Sequence, residues 1–253
     1  MTRRNQAWAK SPPVGDAGPM LVPCMMLRRG QVCLPGSEGP VVALDAAGAP
    51  FDPFDVVDRL RGKFGRLYLV DLDGIERGDP QLDYLQELSR DITLWVDAGV
   101  PTAESAIDIL VAGAERAVLS TEFLRGPLEV RRAWKLSTDW VFEIEIVPGG
   151  GLVASTDWPT RDPLAVVDSV RDVGIGDVVV SPREMDPDWA LISRIAASGP
   201  TWVDGSFTPA EAPQLRSSGA VGGIFHLNAV LGSPATVPAP KVALAASPRD
   251  DEE

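Results

Sequence analysis

The sequence predicts a (β/α)8 barrel, an α/β fold, on three observations. Short β-branched runs alternate with helical stretches, eight such runs can be counted, and the third and fourth are echoed by the seventh and eighth. A chain of 253 residues has the length of one such barrel, about 250 residues. With 45% hydrophobic and 23% charged residues it has the apolar material for a large core and the composition of an ordinary globular domain.

The strands are expected at 20–27, 66–73, 92–97, 116–121, 140–146, 177–181, 200–205 and 221–227, where Val, Ile, Leu, Trp and Tyr concentrate. Helices fit between them at 53–63, 80–90, 102–112, 126–136, 162–173, 187–198 and 208–218. Thr102 to Glu104 and Thr208 to Glu211 read as helix starts, because a Thr hydroxyl accepts from free first-turn amides and an acid favours the positive end. The eighth helix is weak or missing, since the chain turns Pro-rich soon after Leu231. Residues 1–19 and 232–253 lack an apolar period, and the second stretch is Ala/Pro-rich and closes in acids. Both read as flexible tails around a barrel of 20–231. The competing open doubly wound sheet usually carries a Gly-rich phosphate turn after its first strand, and the chain has neither a GxGxxG nor a P-loop pattern.

TLWVDAGVPTAES at 93–105 reappears as TWVDGSFTPAEA at 201–212, pairing Trp95 with Trp202, Asp97 with Asp204 and Glu104 with Glu211, each 107 residues apart. At a similar spacing GAERAVLSTEFL falls on GAVGGIFHLNAVL. Such a correspondence is the pattern of an eight-stranded barrel built from two half-barrel repeats.

Charge and composition restrict the partners. A formal net charge of −13, from 23 Lys+Arg and 36 Asp+Glu, repels a phosphate backbone, so nucleic acid is not expected to bind. No apolar run approaches the roughly 20 residues that span a bilayer, and the basic start MTRRNQAWAKSPP has no apolar segment behind it. A cytoplasmic protein without a membrane partner is expected. Cys24, Cys33 and a single His do not complete a zinc set, so no metal site and no cofactor is expected from them.

Barrels of this class place their chemistry at the carboxyl ends of the strands. There the sequence sets Asp71 or Asp73, Asp97, Glu122, Glu143 or Glu145, Glu184, Asp204 and His226. Period-two alternation puts Asp71 and Asp73 on one face, which should point into the barrel. For Asp97 and Asp204 two readings stand: helix caps or rim charges, or convergent carboxylates that bind a hard cation such as Mg2+ or recognise a substrate amine. His226, the only histidine, is suited to acid–base work near neutral pH and equally to a plain hydrogen bond. Asn228 and Thr121 offer neutral hydrogen bonds beside it, Gly205 and Ser206 form the turn after strand seven, and Ser181, Arg183 and Glu184 make a polar cluster after strand six. Arg28 and Arg29 follow strand one, either as phosphate contacts or as surface charge.

The segments VPCMMLRRGQV, LYLVDLDGIERG, WVDAGVPTAES, GAERAVLSTEFL and WVDGS together resemble the HisA/HisF family of histidine-biosynthesis TIM barrels over residues 20–231. DLDGI and STEFL are most similar to the HisA-like branch of methanogens and methylotrophs. The resemblance implies an isomerase: an Amadori rearrangement of a phosphoribosyl amine, needing an acid and a base on opposite sides of the sugar. It places the first acid at the end of strand one, where this chain has Met26, which moves no proton, and the second on strand five, where Glu145 aligns beside Glu143. It also places phosphates on turns after strands three and seven, which read DAGV and DGSF here.

The expectation is therefore a diverged HisA-like isomerase or lyase acting on a small phosphorylated or amino-bearing metabolite, in cofactor biosynthesis. Glu145, His226 and Asp97 are its expected proton-transfer groups, with Asp73, Glu122, Asp204, Gly205, Ser206, Asn228 and Arg28 as substrate contacts. The alternatives are a non-catalytic barrel serving as a binding or scaffold subunit for a protein partner, and the phosphoribosylformimino-aminoimidazole carboxamide ribotide isomerase of histidine biosynthesis itself.

Overall fold

A computed structural model describes residues 19–205, 212–232 and 234–239. In chain order the strands are β1 (Met20–Arg28), β2 (Gln31–Leu34), β3 (Val41–Leu44), β4 (Arg66–Asp71), β5 (Thr93–Asp97), β6 (Arg116–Ser120), β7 (Trp140–Ile146), β8 (Leu152–Val153), β9 (Val178–Pro182), β10 (Thr201–Gly205), β11 (Gly222–His226) and β12 (Ala235–Pro238). The helices are α1 (Pro53–Leu60), α2 (Leu72–Arg77), α3 (Leu82–Leu88), α4 (Ala103–Val111), α5 (Pro127–Leu136), α6 (Pro163–Val173), α7 (Trp189–Ala196), α8 (Ala212–Ser217) and α9 (Asn228–Leu231).

Eight parallel strands form the ring β1-β4-β5-β6-β7-β9-β10-β11, and it closes because β11 pairs with β1, from Met20 opposite Gly222 to Cys24 opposite His226. This is the (β/α)8 barrel that the alternation of runs predicts. Both faces of each strand are buried, which is why the strands read as nearly continuous apolar runs. Inward positions Val22, Cys24, Tyr68, Trp95, Val118, Val141, Val179, Trp202 and Ile224 fill the interior. Outward positions such as Leu67, Leu69, Leu94, Val96, Leu119, Phe142, Val180 and Val203 pack with the helices in the outer core.

Trp95 and Trp202 meet edge to face across the barrel, ring centroids 5.0 Å apart and planes at 82°, a favoured aromatic geometry. Room for the second indole is made at Gly222, where a Cβ would come within 2.5 Å of the Trp202 ring and 2.3 Å of the Met20 carbonyl oxygen. The indole N–H groups donate to acids at the amino ends of neighbouring strands, Trp95 to Glu115 at 3.1 Å and Trp202 to Asp177 at 3.0 Å. Arg116 pairs with Asp177 at 2.8 Å. This end of the barrel is plugged, so any open chemistry is confined to the other.

The expected helix starts hold where they are described: Thr102 caps α4, sharing reciprocal hydrogen bonds with Ser105, while the start at Thr208 lies outside the described residues. The eighth helix is a single short turn, α9, ended by Gly232 at φ 73°. Among the described residues no helix is long and apolar enough to cross a membrane.

Three features depart from expectation. The strand predicted over 66–73 stops at Asp71, whose carboxylate caps α2 by accepting from the amides of Asp73 and Gly74, both at 3.1 Å, and of Gln81 at 2.6 Å. Asp71 shares the outward parity of Leu67 and Leu69, while Tyr68 and Val70 take the inward positions of β4, so Asp71 caps α2 outside the barrel interior and Asp73 lies within that helix. Second, residues 28–52 contain β2 and β3, which continue the barrel sheet beyond β1 as an antiparallel side sheet. Third, the tail expected from 232 onward supplies β12, whose Ala235–Pro238 pair antiparallel with β3. Four residues suffice because the edge of β3 offers them a ready backbone ladder. Residues 1–18 and 240–253 lie outside the described residues.

Candidate active site at the carboxyl ends of the strands

Inward alternation carried one step past the interior layer brings polar residues to the open end. Two residues beyond Trp95, Val118, Val141, Trp202 and Ile224 stand Asp97, Ser120, Glu143, Asp204 and His226. They line one cavity of about 290 Å3 together with Glu122, Glu145, Arg183, Cys24, Met26, Tyr68 and Thr121. Ring closure is what assembles it: His226 sits opposite Cys24 in the β1–β11 register, and Asp97 and Asp204 come from strands four places apart in the ring.

The carboxyl groups crowd one another out of water. Burial pushes Glu143 well above the usual carboxylate range, and Asp97 and Asp204 add to this, against the opposing hydrogen bond donated by the Tyr68 hydroxyl at 2.8 Å. Asp97 is pushed up to about 6, chiefly by burial, although the Gly99 amide donates to its Oδ1 at 3.0 Å. That amide is available because Gly99 takes φ 64° in a place where a Cβ would fall 2.8 Å from Ile75 Cα. Glu145 is pushed up to about 7 by burial and by a hydrogen bond with Glu122, while Arg183 opposes. The Arg183 Nε lies 2.5 Å from Glu145 Oε1, and its Nη2 is 3.5 Å from Glu122. Asp204 is raised by burial, with His226 and the Ser181 hydroxyl, 3.2 Å away, pulling the other way. Cys24 is held as an uncharged thiol by burial and by the same acids, so it is no nucleophile here.

Raised carboxyl pKa values make stability depend on pH. An ordinary aspartate titrates near 3.9, and Asp97 at about 6 binds its proton more tightly in the folded chain. Its contribution is complete below about pH 4 and is lost as pH rises through about 6. Thermal melts from pH 4 to 8 should therefore show falling stability, and Asp97→Asn should remove about 2–3 kcal/mol of that fall. Equal slopes in both proteins would refute the assignment.

The structure brings Asp97, Glu122, Glu145, Asp204 and His226 into the cavity and leaves other expected site residues out. Asp73 is not in the lining: its carboxylate accepts from the Arg29 amide at 2.6 Å and pairs with Arg77 at 3.3 Å, holding the turn after β1. Arg28 turns away to Glu76 in a separate surface hollow. Asn228 is exposed on α9, outside the lining. Gly205 ends β10 half-buried beside Asp204, and Ser206 lies outside the described residues. Thr121 reaches the cavity, but its hydroxyl is committed to the Val153 carbonyl at 2.6 Å. Glu184 is exposed and outside the lining.

Tyr68 and Ser120 are site residues that strand-end reasoning passes over, since it looks for acids and bases; period-two counting from Asp97 and Glu143 onto their neighbouring strands would have found both. Among the described residues no three His, Cys, Asp or Glu side chains are grouped so as to hold a metal ion.

A family model described as histidine biosynthesis protein matches residues 20–188, a span that includes Met26, Asp97, Glu122, Glu143 and Glu145 and stops short of Asp204 and His226. Relatives named 1-(5-phosphoribosyl)-5-((5-phosphoribosylamino)methylideneamino) imidazole-4-carboxamide isomerase are similar to the chain. The one from Thermomicrobium roseum is 29% identical over 165 residues, 60% of this chain and 68% of that protein. The one from Symbiobacterium thermophilum is 27% identical over 149 residues, 53% and 59% respectively. A third, from Synechococcus sp. (strain CC9902), is 31% identical over 127 residues, 48% and 49%. The matched segments thus span from about half to about two thirds of these relatives' length.

Proposed function

The chain belongs to the histidine biosynthesis protein family, and from that premise we propose that it is a diverged acid–base isomerase or lyase acting on a small phosphorylated or amino-bearing metabolite. One observation carries the reading: Asp204 Oδ1 and His226 Nδ1, in residues lining the same cavity, are buried without a hydrogen-bond partner. Buried polar atoms are normally satisfied, and leaving two bare at one place costs stability unless a ligand completes them.

Glu145 and His226 are the proton-transfer pair. Glu145, at about 7, can give or take a proton at neutral pH. Arg183 fixes its position at the wall formed by β7. His226 stands three strands away round the ring, on β11. It is opposite Cys24 in register, next to the strand whose end carries Met26 where the resemblance implies an acid. An imidazole on the adjacent strand can thus take over the proton that Met26 cannot hold. Asp97, titrating near 6, is the third group of this kind. The like placing of Trp95 and Trp202, and of Asp97 and Asp204, supports an origin by duplication of a half-barrel.

The test is a screen of phosphorylated sugars and amino-bearing metabolites in D2O, read by NMR. At least one compound should be converted with solvent deuterium entering the product. Conversion of none, together with isolation of the protein only in a complex that covers the cavity, would replace this reading by the non-catalytic scaffold. The relatives' own activity is the remaining alternative, and its test is growth of a strain lacking that isomerase. Met26 leads us to expect no rescue.

A further inference from the structure

Resting on the acid–base reading above, we infer that the metabolite carries an amine, held as an ammonium ion by Asp97, Glu143, Asp204 and Ser120 at the cavity floor, and that no phosphate binds there.

The three acids occupy one inward layer, each two residues beyond an interior side chain of its own strand, and they line one cavity in which Asp97 and Asp204 both act on Glu143. The acceptors are incomplete. Ser120, only 6% exposed and on the strand between those of Asp97 and Glu143, has its hydroxyl oxygen without a partner, and so has Asp204 Oδ1. An ammonium group brings three donors and no acceptor, which is the complement of such a set.

An anion finds the opposite. The amide of the turn after β5 that could meet a phosphate is already donated to a carboxylate, Gly99 to Asp97 at 3.0 Å, and the Gly205 amide serves Asp204 in the corresponding turn after β10. Among the described residues the one guanidinium lining the cavity, that of Arg183, is committed to Glu145 and Glu122, and Arg28 pairs elsewhere with Glu76. Among the described residues of the lining, five carboxyl groups face one guanidinium and one imidazole. A cation relieves their mutual repulsion, and a dianion would add to it. The volume, about 290 Å3, is at the small end of metabolite sites.

Isothermal titration of the full chain at neutral pH with matched probes tests this: 1,3-diaminopropane against propane-1,3-diol, glucosamine against glucose, and ribose 5-phosphate as the anion. Each amine should bind about tenfold or more tightly than its neutral counterpart. Asp204→Asn should abolish most of that preference, and Ser120→Ala, which removes one acceptor and little volume, should weaken the amines several-fold with an unchanged melting temperature. Should Asp204→Asn not fold, the wild-type comparison and Ser120→Ala still decide. Equal binding of amines and neutral counterparts, tighter binding of ribose 5-phosphate than of glucosamine, or no amine binding at millimolar concentration would overturn the inference. Those results leave the acid–base reading intact if a substrate is turned over; amine preference without any turnover would uphold the inference and favour a binding subunit.

Discussion

Glu145→Gln is expected to lower turnover by a factor of about 10² to 10⁴, the usual contribution of a positioned acid or base. The substitution keeps the shape of the side chain and removes the group that titrates at about 7. Folding should survive, because the lost ion pair with Arg183 involves a guanidinium side chain 44% exposed, and pairs of that kind contribute about 0–1 kcal/mol. His226→Ala should produce a loss of similar size. The double variant should fall much less than the product of the two, since groups that act on one proton path are not independent. The measurement is kcat on whichever metabolite the screen identifies, with circular dichroism to verify folding. Unchanged turnover in the double variant would remove both residues from the mechanism.

Trp202→Ala should be the most damaging change in the barrel interior, costing about 3–5 kcal/mol. Trp202 is 1% exposed, donates its indole N–H to Asp177 at 3.0 Å and packs edge to face on Trp95. Its removal leaves a hole that the neighbours cannot close, because the facing position is Gly222, which has no side chain to swing in. At about 2–4 °C per kcal/mol for a domain of this size, the melting temperature should drop by roughly 10 °C. Trp202→Phe, which keeps most of the volume and loses the hydrogen bond, should recover more than half. A loss below about 1 kcal/mol for the alanine variant would mean that the interior is not packed as described.

Much of this was legible in the chain. Period-two alternation points Asp97 and Asp204 inward because each lies two residues after a buried Trp, and the same counting reaches Glu143, Glu145 and His226. The facing of β4 is offset by one residue from that expected: Tyr68 and Val70 take the inward positions, so Asp71 faces outward and caps α2, and Asp73 lies in that helix. Short strands of four residues, such as β2, β3 and β12, carry too little pattern to stand out from loops, and they exist because an open backbone edge recruits them. Arg183 appears in the sequence as part of a polar cluster, but nothing local says that its partners are Glu145 and Glu122, 38 and 61 residues away.

By itself the sequence determined the eight strands of the ring and the kind of chemistry available at their ends, since these follow from side-chain periodicity and residue type. Only the tertiary structure decided which acids hold protons and which cations are already spent. Proton affinity and pairing depend on burial and on distance across the closed ring, and neither exists until β11 meets β1 and excludes water from the groups between them.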